Sequence, residues 1–277
     1  MNTPKYDEIG YWSEIKLEII SKYAAAYSRI MAAKPVIKAH LYIDAFAGVG
    51  KHVSKQSGQI IPGSPLIALQ VSPPFRGFHF IDLDGGKAKE LRRMTSGRSD
   101  VSVHEGDCNR VLLEEGFPLC SFKDYYRALC LLDPYNIKVD WKVLQKAGNM
   151  GSIEIFYNFM IMDANMNVFW RNPQNVQPSQ IERMDRAWGD HSWRDVAYRK
   201  ERGLFGDMEE KEGNKAVVEA FRKRLETIAG FKYVPEPLPM RNSKGAVIYY
   251  LFFASPNRTG GRIVQDIFDK YRSRDVS

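Results

Sequence analysis

Tyr42-Ile43-Asp44-Ala45-Phe46-Ala47-Gly48-Val49-Gly50 is the stretch on which the fold turns. Leu41-Tyr42-Ile43 begins a short apolar strand, and that strand runs into an acid and a glycine loop. Glycine lets a backbone turn sharply, reach positive φ and approach a ligand closely. Spacing excludes two familiar glycine loops. A dinucleotide fingerprint, G-x-G-x-x-G, needs a third glycine where this chain has Val53. A P-loop needs Gly-Lys-Ser/Thr, and Gly50-Lys51 is followed by His52. What remains is D-x-F-x-G-x-G at a strand end, which by itself says only that a tight turn follows a strand.

Outward from the loop, apolar strands alternate with helical patterns. Residues 12–33 carry Ile15, Ile19, Tyr23, Ala26 and Ile30 at helical spacing, with Ser13 as the expected cap and Pro35 past the end. Residues 63–71 predict the helix after the loop. Strands are predicted at 77–83, 101–104, 128–132 and 151–157, with helices over 85–95, 108–116 and 139–147. This alternation marks a parallel sheet covered on both faces. Residues 158–206, rich in Asn, Met, Trp and Arg, break it and predict a loop with helices, followed by a charged helix over 207–228. A strand over 231–239, a turn at Asn242 to Gly245 and an apolar strand over 246–254 predict an antiparallel hairpin. A helix over 259–272 closes the chain. The expectation is one α/β domain over 1–277, with a Rossmann-like, mostly parallel seven-stranded sheet ending in an antiparallel hairpin. Its parts are an N-terminal helix (12–33), a cofactor-binding core (41–157), a helical insertion (158–228) and the hairpin with its helix (230–277).

Composition narrows the class. The chain is 44% hydrophobic and 26% charged, which is ordinary for a globular protein. No apolar run approaches the roughly 20 residues that span a bilayer, and Met1 to Glu8 lacks the layout of a secretory leader. The expectation is a cytoplasmic protein with no membrane partner. Cys108, Cys120 and Cys130 form no CxxC pair and no zinc pattern, so no metal is expected. Cys120 and Cys130 read as buried thiols, while Cys108, after a strand end, is placed in a ligand pocket. The net charge of +7 is spread along the chain, with Arg222-Lys223-Arg224 as a local cluster, and hints only mildly at nucleic acid.

Acids at the strand ends carry the chemistry. Phe80-Ile81-Asp82-Leu83-Asp84 follows the second strand, where a nucleoside-binding fold places an acid on the ribose hydroxyls. Asp82 is the first choice for that role and Asp84 the second, with a helix cap the other reading of Asp84. Gly106-Asp107-Cys108-Asn109 follows the third strand, and Asp107 is read either on an adenine amine or as a helix cap. The fourth strand ends in Leu131-Leu132-Asp133-Pro134-Tyr135-Asn136.

These pieces resemble motif I and motif IV of class I S-adenosylmethionine-dependent methyltransferases. The resemblance implies that Asp44, Phe46, Gly48 and Gly50 hold the methionine end of S-adenosylmethionine, Asp82 its ribose, and Asp107 with Cys108 its adenine. It also implies that Asp133, Pro134 and Tyr135 hold an exocyclic amine of a nucleic-acid base, Tyr135 stacking on the ring. Motif IV usually has two prolines, and this chain has one. Asn136, Trp170 and Arg171 are further candidate substrate contacts. The aromatic and basic residues Trp188, Trp193-Arg194 and Arg199-Lys200 read as stacking and phosphate contacts or, for one or two of the tryptophans, as core.

Further segments are Pro62-Gly63-Ser64-Pro65-Leu66, Trp188-Gly189-Asp190-His191-Ser192-Trp193 and Tyr249-Tyr250-Leu251-Phe252-Phe253. With the motifs above, they resemble the three-Cys-motif partner (TcmP) family over about residues 12–270. That resemblance implies a protein partner of the phage Gp37/Gp68 type. The alternatives to a base methyltransferase are methylation of a protein or small molecule, and a non-catalytic cofactor-binding adaptor for that partner, with RNA or DNA as the partner of the first reading.

Overall fold

The computed structural model describes residues 6–203 and 206–273, without the side chains of 200–210. Met1 to Lys5 and the Lys200 side chain therefore lie outside the described residues. Five parallel strands form the heart of the sheet: β2 (Ala39–Asp44), β5 (Gly77–Asp82), β6 (Val101–Glu105), β7 (Tyr126–Leu132) and β8 (Ile153–Phe159). β12 (Val247–Ala254) joins β8 antiparallel, and β11 (Leu238–Arg241) joins β12 antiparallel. The order is β11-β12-β8-β7-β2-β5-β6. This is the Rossmann-like class I methyltransferase fold with inserted helices.

β2, β7 and β8 are mostly apolar and buried on both faces because helices cover both. On one face, α1 (Tyr11–Ala32), α2 (Ser64–Leu69), α3 (Gly85–Met94) and α10 (Arg258–Arg272) pack around Tyr23, Tyr42, Phe80, Phe156 and Phe253. On the other lie α4 (Cys108–Val111) with the π-turn Leu112–Gly116, α5 (Trp141–Met150), α6 (Ile161–Asn167), α7 (Pro178–Trp188), α8 (Trp193–Ala197) and α9 (Asn214–Thr227). Phe221 of α9 is the hub of that layer. Its ring stacks on Phe159 at 4.6 Å and meets Trp141, Tyr157, Trp188 and Phe252 within 6 Å. The insertion is thus part of the core, and Trp188 and Trp193 are buried in it.

Several expectations need correcting. β1 (Asp7–Ile9), β3 (Lys51–Ser54) and β4 (Ile60–Pro62) form a small separate sheet beside the glycine loop, and no periodic pattern announces such short strands. Residues 207–211, expected to be helical, fall in β10 (Gly206–Lys211), antiparallel to β9 (Tyr198–Gly203), and the helix starts after Gly213. The strand expected over 231–239 shrinks to β11 and an isolated Tyr233–Ser255 bridge, because Pro235, Pro237 and Pro239 have no N–H to pair. α1 begins after Gly10 with no side-chain cap, so Ser13 is inside it. Among the described residues no helix is long and apolar enough to cross a membrane.

Phe221→Ala should lower unfolding free energy by about 3–5 kcal/mol through loss of the buried ring and the cavity left behind. Urea denaturation measures it, and a cost under about 1 kcal/mol would contradict the packing of α9 on the sheet.

Candidate active site

β2 pairs with β5 on one edge and β7 on the other, so its loop emerges where the strand order reverses. Open α/β sheets leave a crevice at that point, beyond the carboxyl ends of the strands. A cleft of about 210 Å³ lies there, lined by Phe46, Ala47 and Gly48 of the loop and by Asp133, Pro134 and Tyr135 after β7. α1 supplies Ser13 and Lys16, the small sheet His52, β8 Asn158 and β12 Tyr249.

The glycine loop is left-handed at Gly48 (φ +62°) and Gly50 (φ +78°). A side chain on Gly48 would meet nothing within 4 Å, whereas one on Gly50 would lie in ordinary contact with Leu66 and Leu91 at 3.4 Å, so at Gly50 it is the positive φ that favours glycine. Asp82 holds the loop from the end of β5: Oδ2 accepts from Gly48 N at 2.8 Å and Oδ1 from Asp84 N at 2.8 Å. Asp84 caps α3, accepting from Gly86 N and Lys87 N, as its capping reading expects. Asp107 caps α4 through Asn109 N and Arg110 N, all with Oδ1.

Asp44 is wholly buried under the loop. Its Oδ2 accepts from Ser64 Oγ at 2.5 Å and its Oδ1 from Phe46 N at 3.2 Å. Burial pushes its carboxyl up to about 7, with the nearby Asp133 charge adding to the rise, while Ser64, Phe46 and Lys16 oppose it. Asp133 is held from two sides, by an ion pair with Lys16 Nζ and a hydrogen bond from Asn158 Nδ2. The loop after it is pinned from below: Ile137 N donates to Asp163 Oδ2 (2.9 Å), Asn109 Nδ2 donates to Lys138 O (2.9 Å), and Asp140 N donates to Asn109 Oδ1 (2.8 Å). Tyr135 projects outward, 70% exposed, with Lys87 Nζ 5.8 Å from its ring centroid.

Three residues lining the cleft carry buried polar atoms without a hydrogen-bond partner: Asn158 Oδ1, Tyr249 Oη and His52 Nδ1. Buried groups of this kind are costly to leave unpaired, and their convergence here is what a polar ligand would satisfy. The positive-φ loop and the open side of Gly48 leave backbone that a ligand can approach, with these polar atoms around it, while Asp44, Gly50, Asp82 and Asp107 lie outside the cleft lining. Lys16, His52, Asn158 and Tyr249 are not among the contacts the sequence predicts: Lys16 and Asn158 lie in an unremarkable helix and strand, and the segments around His52 and Tyr249 carry no sign that either faces Asp133.

Other candidates lie elsewhere. Cys108 is packed in the apolar layer rather than on the cleft, and burial pushes its thiol up to about 12. Trp170 and Arg171 follow α6 away from the cleft lining. Trp170 Nε1 donates to Met166 O (2.8 Å), and its carbonyl accepts from Tyr198 Oη (2.9 Å). Asn136 is partly buried, with Oδ1 unpartnered, and does not line the cleft.

The sequence matches no known family profile and no curated protein. Among solved structures, protein LPL1258 from Legionella pneumophila superposes with TM-score 0.58 at 12% identity, over 95% of this chain and 91% of that one. An S-adenosylmethionine-dependent methyltransferase from Clostridium acetobutylicum gives 0.39 at 9% identity over 86% and 92%. The DszA carbon methyltransferase gives 0.42 at 13% over 87% of this chain and 53% of that one.

Asp44 predicts a pH signature. Its folded carboxyl keeps its proton up to about 7, whereas the unfolded one ionises near the ordinary aspartate value of 3.8. The folded state therefore binds the extra proton between those values, and stability from this group falls as pH rises through that window. Asp44→Asn should flatten that fall relative to wild type in urea midpoints taken from pH 4 to pH 8; parallel curves would show that Asp44 ionises normally.

Proposed function

We propose that this chain transfers a methyl group from S-adenosylmethionine to an exocyclic amine of a nucleic-acid base. The observation that carries the reading is the acid-Pro-aromatic run Asp133-Pro134-Tyr135 facing the glycine loop across one cleft, with polar acceptors unsatisfied around it. The bound cofactor supplies a methyl group already activated on a sulfonium sulfur. Gly48, Phe46 and the loop backbone hold its methionine end, with Asp44 bracing the loop from beneath. On this reading Asp82 takes the ribose and Asp107 the adenine, each carboxylate keeping lone pairs beyond those its backbone amides use.

On the acceptor side, Lys16 and Asn158 fix the Asp133 carboxylate in one orientation. Each of its oxygens retains a lone pair to accept an amine N–H, with the Pro134 carbonyl as a second acceptor. Fixing the N–H bonds directs the nitrogen lone pair at the methyl group, so these residues contribute alignment and proximity. The exposed Tyr135 ring offers a stacking face, and Lys87 beside it, ion-paired with Asp7 at 3.0 Å, a cation that a phosphate would share.

A non-catalytic, cofactor-binding adaptor has an observation of its own: the Lys16 ammonium already occupies Asp133, where a substrate amine must compete. A three-Cys-motif protein as its partner rests on the sequence resemblance alone.

Calorimetry with S-adenosylhomocysteine and methyl transfer from labelled S-adenosylmethionine to total RNA and DNA separate the readings. Asp133→Ala should cut transfer by about 10²–10³-fold, the scale of a lost positioning hydrogen bond at a reacting centre, and leave the calorimetric affinity within about threefold. Binding without transfer in wild type would favour the adaptor, and no binding by folded protein would remove both.

A further inference from the structure

A cavity of about 780 Å³ sits at the opposite pole from the glycine loop, by the amino ends of β7 and β8. α1 connects the two. Lys16 on its first turns lines the cleft, while Tyr27, Met31 and Lys34, at and beyond its far end, line this cavity. The separation is about 25 Å, from the 1.5 Å rise per helical residue. The remaining walls come from the segment leading into β7, the α5–β8 turn, the chain after α9 and the start of α10.

Four cations converge there from four segments far apart in sequence: Lys34, Arg127, Lys232 and Arg258. Among the described residues, Lys34, Lys232 and Arg258 make no ion pair. Arg127 spends its guanidinium on the carbonyls of Phe122 and Tyr126 and on the Phe122 ring, 4.0 Å from its centroid. α10 opens beside them, so the positive end of a 15-residue helix adds to the same field. The acid among these groups is Glu154, whose oxygens already accept from Tyr23 Oη and Ser255 Oγ. Burial pushes it up to about 7, so near neutrality it offsets at most part of one positive charge.

A second, independent feature points to an occupant. Tyr27 is 2% exposed and its hydroxyl has no hydrogen-bond partner, although it lies close enough to Glu154 and Arg127 to feel both charges. An unpaired buried hydroxyl lining a cavity of like-charged side chains is an unmet donor facing an anion-attracting space. At the rim, Phe122 is 52% exposed with Arg127 stacked on it, a platform for a planar ring. The volume falls in the range of small-ligand sites, roughly 300–1,000 Å³.

We propose that this polar cavity binds a small phosphate-bearing ligand of the nucleotide class, its phosphates among Lys34, Lys232 and Arg258 and its ring on Phe122.

The full chain is titrated calorimetrically with ATP, AMP and inorganic phosphate, and with a short single-stranded RNA. ATP should bind, more weakly in high salt because charges are being screened. Lys232→Ala combined with Arg258→Ala should weaken ATP by about tenfold or more, since charge-assisted hydrogen bonds are lost. Tyr27→Phe should weaken it severalfold without lowering the melting temperature, because the removed hydroxyl has no partner in the free protein. S-adenosylhomocysteine binding should be unchanged in these variants, so a failure here and a failure of the methyltransferase reading are distinguishable. The proposal is overturned if folded wild type binds none of ATP, AMP and phosphate, or if the double variant binds ATP as wild type does. RNA binding lost in the double variant, with no nucleotide binding in wild type, would assign the cations to a nucleic-acid backbone instead.

Discussion

β2 carries a strand on each edge, and the chain leaves β2 toward one neighbour and returns later to the other. Everything at the carboxyl pole follows from that constraint. Because the segments on the two sides run to opposite halves of the sheet, a crevice is left beside the loop after Asp44. Its glycines and the Asp133 turn of the next strand are left to face each other across a crevice. Burial of β2 on both faces fixes the loop's starting point, and positive φ at Gly48 and Gly50 fixes its course.

The carboxylates around the crevice are all used by the protein itself. Asp82 holds Gly48 N, Asp84 and Asp107 cap helices, Asp44 holds Ser64, and Asp133 holds Lys16 and Asn158. A structural partner does not disqualify an acid from binding. A carboxylate accepts up to about four hydrogen bonds, and one fixed by backbone amides presents its remaining lone pairs without further loss of side-chain freedom. Capping and ligand recognition are therefore compatible uses of one side chain. Asp44 is the exception, buried so deeply that its carboxyl is driven up to about 7, and it braces the loop through Ser64 and Phe46.

α1 gives the molecule a second axis. It presents Lys16 to Asp133 at one pole and Tyr27 to a cation-lined cavity at the other, while its middle packs Tyr23 against Phe156 and Phe253. A rigid helix packed along its length on the sheet is a physical connection between the two poles.

The sequence by itself determined the sheet, the order of its five parallel strands along the chain and the terminal hairpin, because two-sided burial writes continuous apolar runs and hairpins write polar turns. It also singled out the loop and the acids at the strand ends. It missed the sheet of β1, β3 and β4, whose strands are too short to show a period, and carried the helix of α9 back through β10, where charged residues give no pattern. Only the tertiary structure brought Lys16, His52, Asn158 and Tyr249 to Asp133, moved Cys108 into the core and separated Trp170 from the cleft. Those outcomes depend on pairings between residues well separated along the chain, 25 positions for Asn158 and Asp133 and 117 for Lys16 and Asp133, and local spacing carries no record of them.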